Sequence, residues 1–300
     1  MKSLWSFLLF SLLSSGSMEA LPREGLLLDL DPSKGVVLEE GNRVSSWTNQ
    51  APSREGLQFV KQDEGRKEQG SGRPSLRENV PEADGRPVLS FRQQELVCHD
   101  EEAFDRLTIG AGHTCVAVMA VHRQRIGEKD VNSFFGNLRN GGMYEGLWGG
   151  LDDDNTLWYG VRNGRTFGRW DINNPKISGP KLEVGRFYVV AGRMGAGTGE
   201  VSLELFVDEP QPVGRGMITV DPVGQPSRMV IGQERDATNH PGYESFDGEI
   251  ARFLIWERPL TDEELAGVLS ELQVDGGGVG TYSPRRPREW WWGRVRGGRE

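Results

Sequence analysis

Apolar residues in this chain recur at every second position, in short runs punctuated by glycine and proline, and in only one place at helical spacing. A period of two puts alternate side chains on opposite faces of an extended strand. The 41 glycines lie well above the usual share of about 7%, follow no Gly-X-Y repeat and come with 16 prolines. Collagen is thereby excluded, and tight turns joining short strands at intervals of about 8 to 12 residues point to an all-β sandwich or barrel. Residues 25–31, ended by Pro32, read as a strand, as do residues 87–91 and 95–98. The run from Cys115 to Val121 is almost continuously apolar, which suits a central strand buried on both sides. Residues 143–150, 156–162 and 165–171 read as a meander whose turns are Asp152-Asp153-Asp154-Asn155 and the two-residue hairpin signal Asn163-Gly164. Strands at 187–191, 201–207, 229–232 and 250–256 continue the pattern, whereas the charged, Gly-rich residues 52–84 read as a surface excursion.

The exception to period two is a helix near the C-terminus. Thr261 and Glu264 form a capping box, Leu260 and Leu265 a hydrophobic staple, and Leu265, Val268, Leu269 and Leu272 an apolar stripe. The stripe requires the helix to lie against something, and the sandwich edge is the expected surface.

The two ends differ from the middle. Residues 1–20 open with Lys2, run through ten largely apolar positions and exit through Ser14, Ser15, Gly16 and Ser17, the pattern of a secretory signal peptide cleaved after Ser17 or Ala20. The apolar run falls short of the roughly 20 residues that span a bilayer. The expected domain covers residues 21–273, and residues 274–300 form a Gly/Arg/Trp-rich tail of disordered composition, with six Arg against two Glu from 285 onward. The expected location is therefore secreted, whether extracellular, cell-surface or periplasmic, with no transmembrane segment in the mature chain. A net charge of -9 argues against nucleic acid as a partner.

The order of the segments resembles the LamG-like jelly-roll domains of the concanavalin A-like lectin/glucanase superfamily, as found in secreted bacterial proteins. The resemblance rests on residues 25–31, 42–50, Pro74-Ser75-Leu76, residues 84–91 and the closing series from Phe246 to Glu264, and it covers about residues 25–272. It implies a jelly-roll β-sandwich of two antiparallel sheets, one of them concave, often binding a glycan or a protein without catalysis. Asp208-Glu209-Pro210 stands where such domains often carry an Asn-Gly hairpin, which implies a longer loop here.

Catalysis in that superfamily uses acids at alternate positions of one strand, because residues i and i+2 lie about 6.6 Å apart on one face, near the roughly 5 Å of a retaining carboxylate pair. Asp29/Asp31 and Asp247/Glu249 have that spacing but lack the third acid; Glu200, Glu204 and Asp208 share a face with successive members about 13 Å apart, too far for a pair. No Gly-x-Ser-x-Gly elbow occurs, and His99, His113, His122 and His240 show no paired spacing. No catalytic residue is assigned. Sugar binding calls instead for aromatic faces beside polar groups. Alternation places Trp158 with Arg162 on the more open face and Tyr159 with Leu157 and Val161 in the core; Trp148, Trp170 and Asn163 complete the candidate ligand site, with core filling as the alternative for each ring. Asp152 and Asp154 are candidate Ca²⁺ ligands, although the Gly and Glu of an EF-hand loop are missing and a solvated turn is the alternative. Cys98 and Cys115 are either a disulfide, with about 3 kcal/mol to contribute, or free buried thiols. The expected function is a secreted, non-catalytic module for a glycan or a cell-surface polymer or protein. Alternatives are a glycoside hydrolase or lyase of the same superfamily and a purely structural envelope protein.

Overall fold

The computed structural model describes residues 21–67, 70–124, 132–139, 143–166, 171–233 and 245–274. Residues 1–20, read above as a signal peptide, Trp170, His240 and residues 275–300 lie outside the described residues. The strands begin with β1 (Leu26–Leu30), β2 (Val36–Glu39), β3 (Arg43–Thr48), β4 (Gln58–Lys61), β5 (Ser75–Arg77) and β6 (Val88–Arg92). They continue with β7 (Leu96–Cys98), β8 (His113–Val121), β9 (Asn132–Gly136), β10 (Glu145–Leu151), β11 (Thr156–Asn163) and β12 (Lys176–Lys181). The last are β13 (Phe187–Met194), β14 (Glu200–Val207), β15 (Gly214–Thr219), β16 (Val230–Ile231) and β17 (Asp247–Trp256), followed by helix α1 (Asp262–Leu272).

All of these strands pair antiparallel, in two layers. The front sheet runs β2-β3-β4-β7-β16-β9-β10-β11-β12. The back sheet runs β15-β14-β13-β8-β17, and the far side of β17 is shared by β1 and β6, with β5 beyond β6. A single pairing, Arg43 with Ser75, joins the layers on one side. The main core lies between them and takes residues from both, among them Trp47, Phe59, Phe91, Phe135, Tyr159 and Phe253. The architecture is the all-β sandwich with one short C-terminal helix that the period-two pattern and the capping signal lead one to expect.

All nine residues of β8 are buried. Cys115, Ala117, Met119 and Val121 face the main core, while Val116, Val118 and Ala120 face a second cluster on the outside of the back sheet. Helix α1 seals that second cluster with Leu265, Val268, Leu269 and Leu272. Both halves of the capping box form, and Arg258 grips Glu264 at 2.6 Å, holding its carboxyl down at about 2.

Two expectations need correction, and one alternative left open is decided. Residues 52–84 are not a mere excursion: β4 joins the front sheet, Phe59 is fully buried, and Arg73 is buried because Asp63 accepts from it at 2.7 Å. Of the strand read at 165–171, residues 167–170 lie outside the described residues and Arg165 and Thr166 form a bend; on the side away from β10, β11 pairs with β12, a strand whose largely polar Lys-Ile-Ser-Gly-Pro sequence hides it. Cys98 and Cys115 form no disulfide; they are free buried thiols on β7 and β8, one in each sheet. Burial pushes the Cys98 thiol up to about 11 and that of Cys115 further still, so both stay protonated and inert. Residues 208–213 connect β14 to β15, the lengthened loop foreseen there.

Candidate functional site

The outer face of the front sheet is built from one cross-strand row. Val60 stands opposite Val97, Val97 opposite Val230, Val230 opposite Gly136, Gly136 opposite Trp148, Trp148 opposite Gly160, and Gly160 opposite Lys176. One residue pair further along, Gly150 faces Trp158, which faces Ser178. Each indole therefore lies across a glycine of the neighbouring strand. A Cβ at Gly150 would come within 2.5 Å of the Trp158 ring, and one at Gly160 within 3.1 Å of the Trp148 ring. The two indoles meet edge to face at 5.3 Å, an arrangement favoured by the ring quadrupole. The Arg162 guanidinium sits 4.7 Å above Trp148, and the Lys176 ammonium 5.1 Å from Trp158.

Alternation along β11 holds, with Tyr159, Leu157 and Val161 in the main core and Trp158 in a separate cluster with Trp148 and Leu138. The expectation of an open ring does not hold: Trp158 is 0%, Trp148 3% and Arg162 1% exposed. Trp170 lies outside the described residues. Asn163 is also buried and serves the turn: its Oδ1 accepts from the backbone N–H of Arg165 and Thr166, and its Nδ2 donates to Thr219 O. What solvent meets is the rim formed by β12 and the adjoining turn, where Ser178 and Asp154 are exposed and Lys176, Asp152 and Asp153 half-buried.

That turn does not fit a calcium ion. Lys176 Nζ sits 2.9 Å from Asp152 Oδ1, and Lys181 Nζ 3.6 Å from Asp154 Oδ2. Asp154 Oδ1 also accepts from the Thr156 N–H, and its hydrogen bonds to Thr156 together with Lys181 hold its carboxyl below the usual range. Among the described residues no three metal-ligating side chains gather.

The acid pairs read from the sequence are clamped by arginines. Arg252 reaches both Asp29, at 2.8 Å, and Asp31. Glu249 pairs with Arg77 and stands 3.6 Å from His122 Nε2. Glu204 is held by Arg193 at 2.6 Å, and Asp208 caps the Val189 N–H at 2.8 Å. Burial raises the Asp29 carboxyl, and the Arg252 charge works against that rise.

Two buried titratable pairs escaped the sequence reading. His113 donates from Nδ1 to Leu107 O at 2.6 Å, so its Nε2 must accept from the Tyr159 hydroxyl. Complete burial brings this histidine down to about 4. Glu95, also fully buried, pairs with Arg66, and burial pushes its carboxyl up to about 7 against the pull of that guanidinium. An acid directly before an apolar strand was the visible signal for Glu95; its partner lies 29 positions away in residues read as surface.

No family model matches the chain, and no curated protein does. Solved structures with a similar fold do exist. A Trypanosoma rangeli sialidase in complex with 2,3-difluorosialic acid is 16% identical over 85% of this chain and 34% of that one, with a TM-score of 0.51. A mutant of the same sialidase displaying trans-sialidase activity is 14% identical over 86% of this chain and 35% of that one, also at 0.51. The binding domain of botulinum neurotoxin DC in complex with SialylT gives 11% identity over 84% and 52% of the two chains, at 0.48. The chain spans about a third of the sialidase length, and at these identities the likeness is one of fold. No helix among the described residues is long and apolar enough to cross a membrane.

Proposed function

We propose that this chain is an exported, non-catalytic binding module of the LamG-like, concanavalin A-like kind, whose ligand is a glycan or a cell-surface polymer. The ligand meets the rim of the front sheet, where Lys176, Ser178 and the Asp152–Asp154 turn offer hydrogen-bonding groups beside the buried floor of Trp148 and Trp158. The observation that carries this reading is the interlocked Trp/Gly row with its stacked cations, set apart from the main core on an outer sheet face. The indoles, 0% and 3% exposed, do not meet the ligand themselves; they fix the strands that carry the rim, whose polar groups suit the hydroxyls of a sugar. The arginine clamps on Asp29/Asp31, Glu249 and Glu204 favour binding over glycoside hydrolysis, since a hydrolase needs one carboxyl free as acid and another as base or nucleophile. The sialidases of similar fold support the sugar reading by the sialic acid analogue in one of their complexes.

The test is a polysaccharide and glycan panel probed with the mature protein, with calcium and with chelator. Saturable binding, unaffected by chelator and lowered at least tenfold by Ser178→Trp, which blocks the rim without entering the core, is the expected result. Silence across the panel from a folded protein, or binding indifferent to Ser178→Trp and Lys176→Gln, overturns the assignment of ligand or of rim. Mass spectrometry of the exported chain should find an N-terminus after Ser17 or Ala20.

A further inference from the structure

The side of the sandwich where the layers join carries a second feature, unrelated to the rim at β12. Strand β2 is the outermost strand of the front sheet, and β3 is its one strand partner among the described residues. Its Val37 and Leu38 are 51% and 41% exposed. Beside it a cleft of about 430 Å³ opens, with the apolar Val36, Leu38, Leu76 and Pro87 and the charged Lys34 and Glu78 among its lining residues. Val36 and Leu76 also pack against the main core, so the cleft is a place where the sandwich interior reaches the surface. An exposed apolar edge strand is a template for one more strand, and natural proteins seldom leave one uncovered.

The chain itself supplies an occupant of matching chemistry. Arg86, between the cleft residues Gly85 and Pro87, donates to Leu272 O at 3.2 Å and to Gln273 O at 3.1 Å. The described chain therefore ends at Val274 beside the cleft. Gly276-Gly277-Gly278 follows, then Arg285, Arg286, Arg288 and Trp290-Trp291-Trp292. Fifteen residues lie between Val274 and Trp290, a length over which a random-coil tether reaches about 20–24 Å root-mean-square. Around the cleft Glu40, Glu78 and Glu82 are exposed, with Lys34 and Arg77 exposed among them; Glu39 is already paired with Lys61 and Arg73, and Asp84 lies 3.9 Å from Arg86. Glu78 and Glu82 beside apolar cleft residues thus match a segment of arginines and tryptophans, and a tether this short keeps the segment at an effective concentration on the order of millimolar.

We propose that residues 285–292 dock in cis along β2 as an added strand, with tryptophan side chains in the cleft and arginines toward Glu78 and Glu82. Backbone hydrogen bonds to the β2 edge would supply affinity, and the cleft would fix the register. The experiment is amide hydrogen exchange on the full chain, compared with the full chain carrying Trp290→Ser, Trp291→Ser and Trp292→Ser together. Residues 36–39 should exchange at least tenfold more slowly in the parent, and the difference should shrink as salt rises or when Glu78→Lys is introduced. The triple variant alters nothing in the sandwich, so loss of folding does not confound it; Leu38→Asp, on the cleft wall, should reproduce its effect. Equal exchange in parent and triple variant overturns the proposal. So does protection of β2 that grows with protein concentration, which would assign the edge to a second copy, or protection that appears elsewhere on the sandwich.

Discussion

The two outer faces of the sandwich are both buried, by opposite means. On the back sheet, Val116, Val118, Ala120, Val189 and Ala191 present a smooth aliphatic surface, and an amphipathic helix covers it. On the front sheet, two indoles pack against glycines of the neighbouring strands, edge to face with one another, and are stacked on by Arg162 and Lys176. The first face is sealed by an element with its own local signature. The second depends on large-to-small complementarity between strands, which no single strand reveals. Burial of a sheet face is therefore not a property that alternation within a strand can report.

Four measurements sharpen or break this contrast. Trp158→Ala should lower stability by about 3–5 kcal/mol in chemical denaturation, because it removes a fully buried ring from a rigid frame. A loss below about 1 kcal/mol would show the front face to be open and repackable, and would erase the contrast with the back face. Leu269→Ala, on the helix stripe, should cost about 3 kcal/mol and should loosen α1 before the sheets, as read by exchange in the helix.

The third prediction concerns pH and opposes His113 in the interior to Glu95 beside the front sheet. With its folded value depressed to about 4, His113 lets the unfolded chain take up a proton first, so stability falls as pH drops from about 6.5 toward 4, by about 3 kcal/mol in all. For Glu95, with its folded value raised to about 7 from 4.5, the folded chain binds the proton first, and stability rises as pH drops through that window. The parent should therefore show a shallow profile. His113→Gln should tilt it upward toward acid and Glu95→Gln downward; tilts in the same sense would refute the assignment. Smallest in effect, Thr261→Ala should cost about 1 kcal/mol through the lost helix cap, with no change at the front face.

Much of the fold was legible because its signals are local. Leu260, Thr261, Glu264 and Leu265 announce a helix start within six residues, and the run at Cys115 announces a strand buried on both sides. The candidate site was half legible. Alternation sent Trp158 and Tyr159 to opposite faces correctly, yet it missed β12, whose Lys-Ile-Ser-Gly-Pro-Lys sequence carries one strand-forming residue, Ile177, and so it missed the partner that brings Lys176 over Trp158. The acid pairs looked available for the same reason. Arg252 stands 223 and 221 positions from Asp29 and Asp31, and Arg77 172 positions from Glu249.

The period of two, the turn residues and the helix cap dictate strands, turns and one helix, because each depends on neighbours along the chain whose geometry the peptide backbone fixes. Which strand lies beside which, whether a tryptophan on an outer face sees water, whether two cysteines meet, and which arginine neutralises which carboxylate depend on contacts between residues far apart in sequence. Those contacts exist only once the sheets have packed, since packing brings such groups within the few ångströms over which dispersion, hydrogen bonds and ion pairs act.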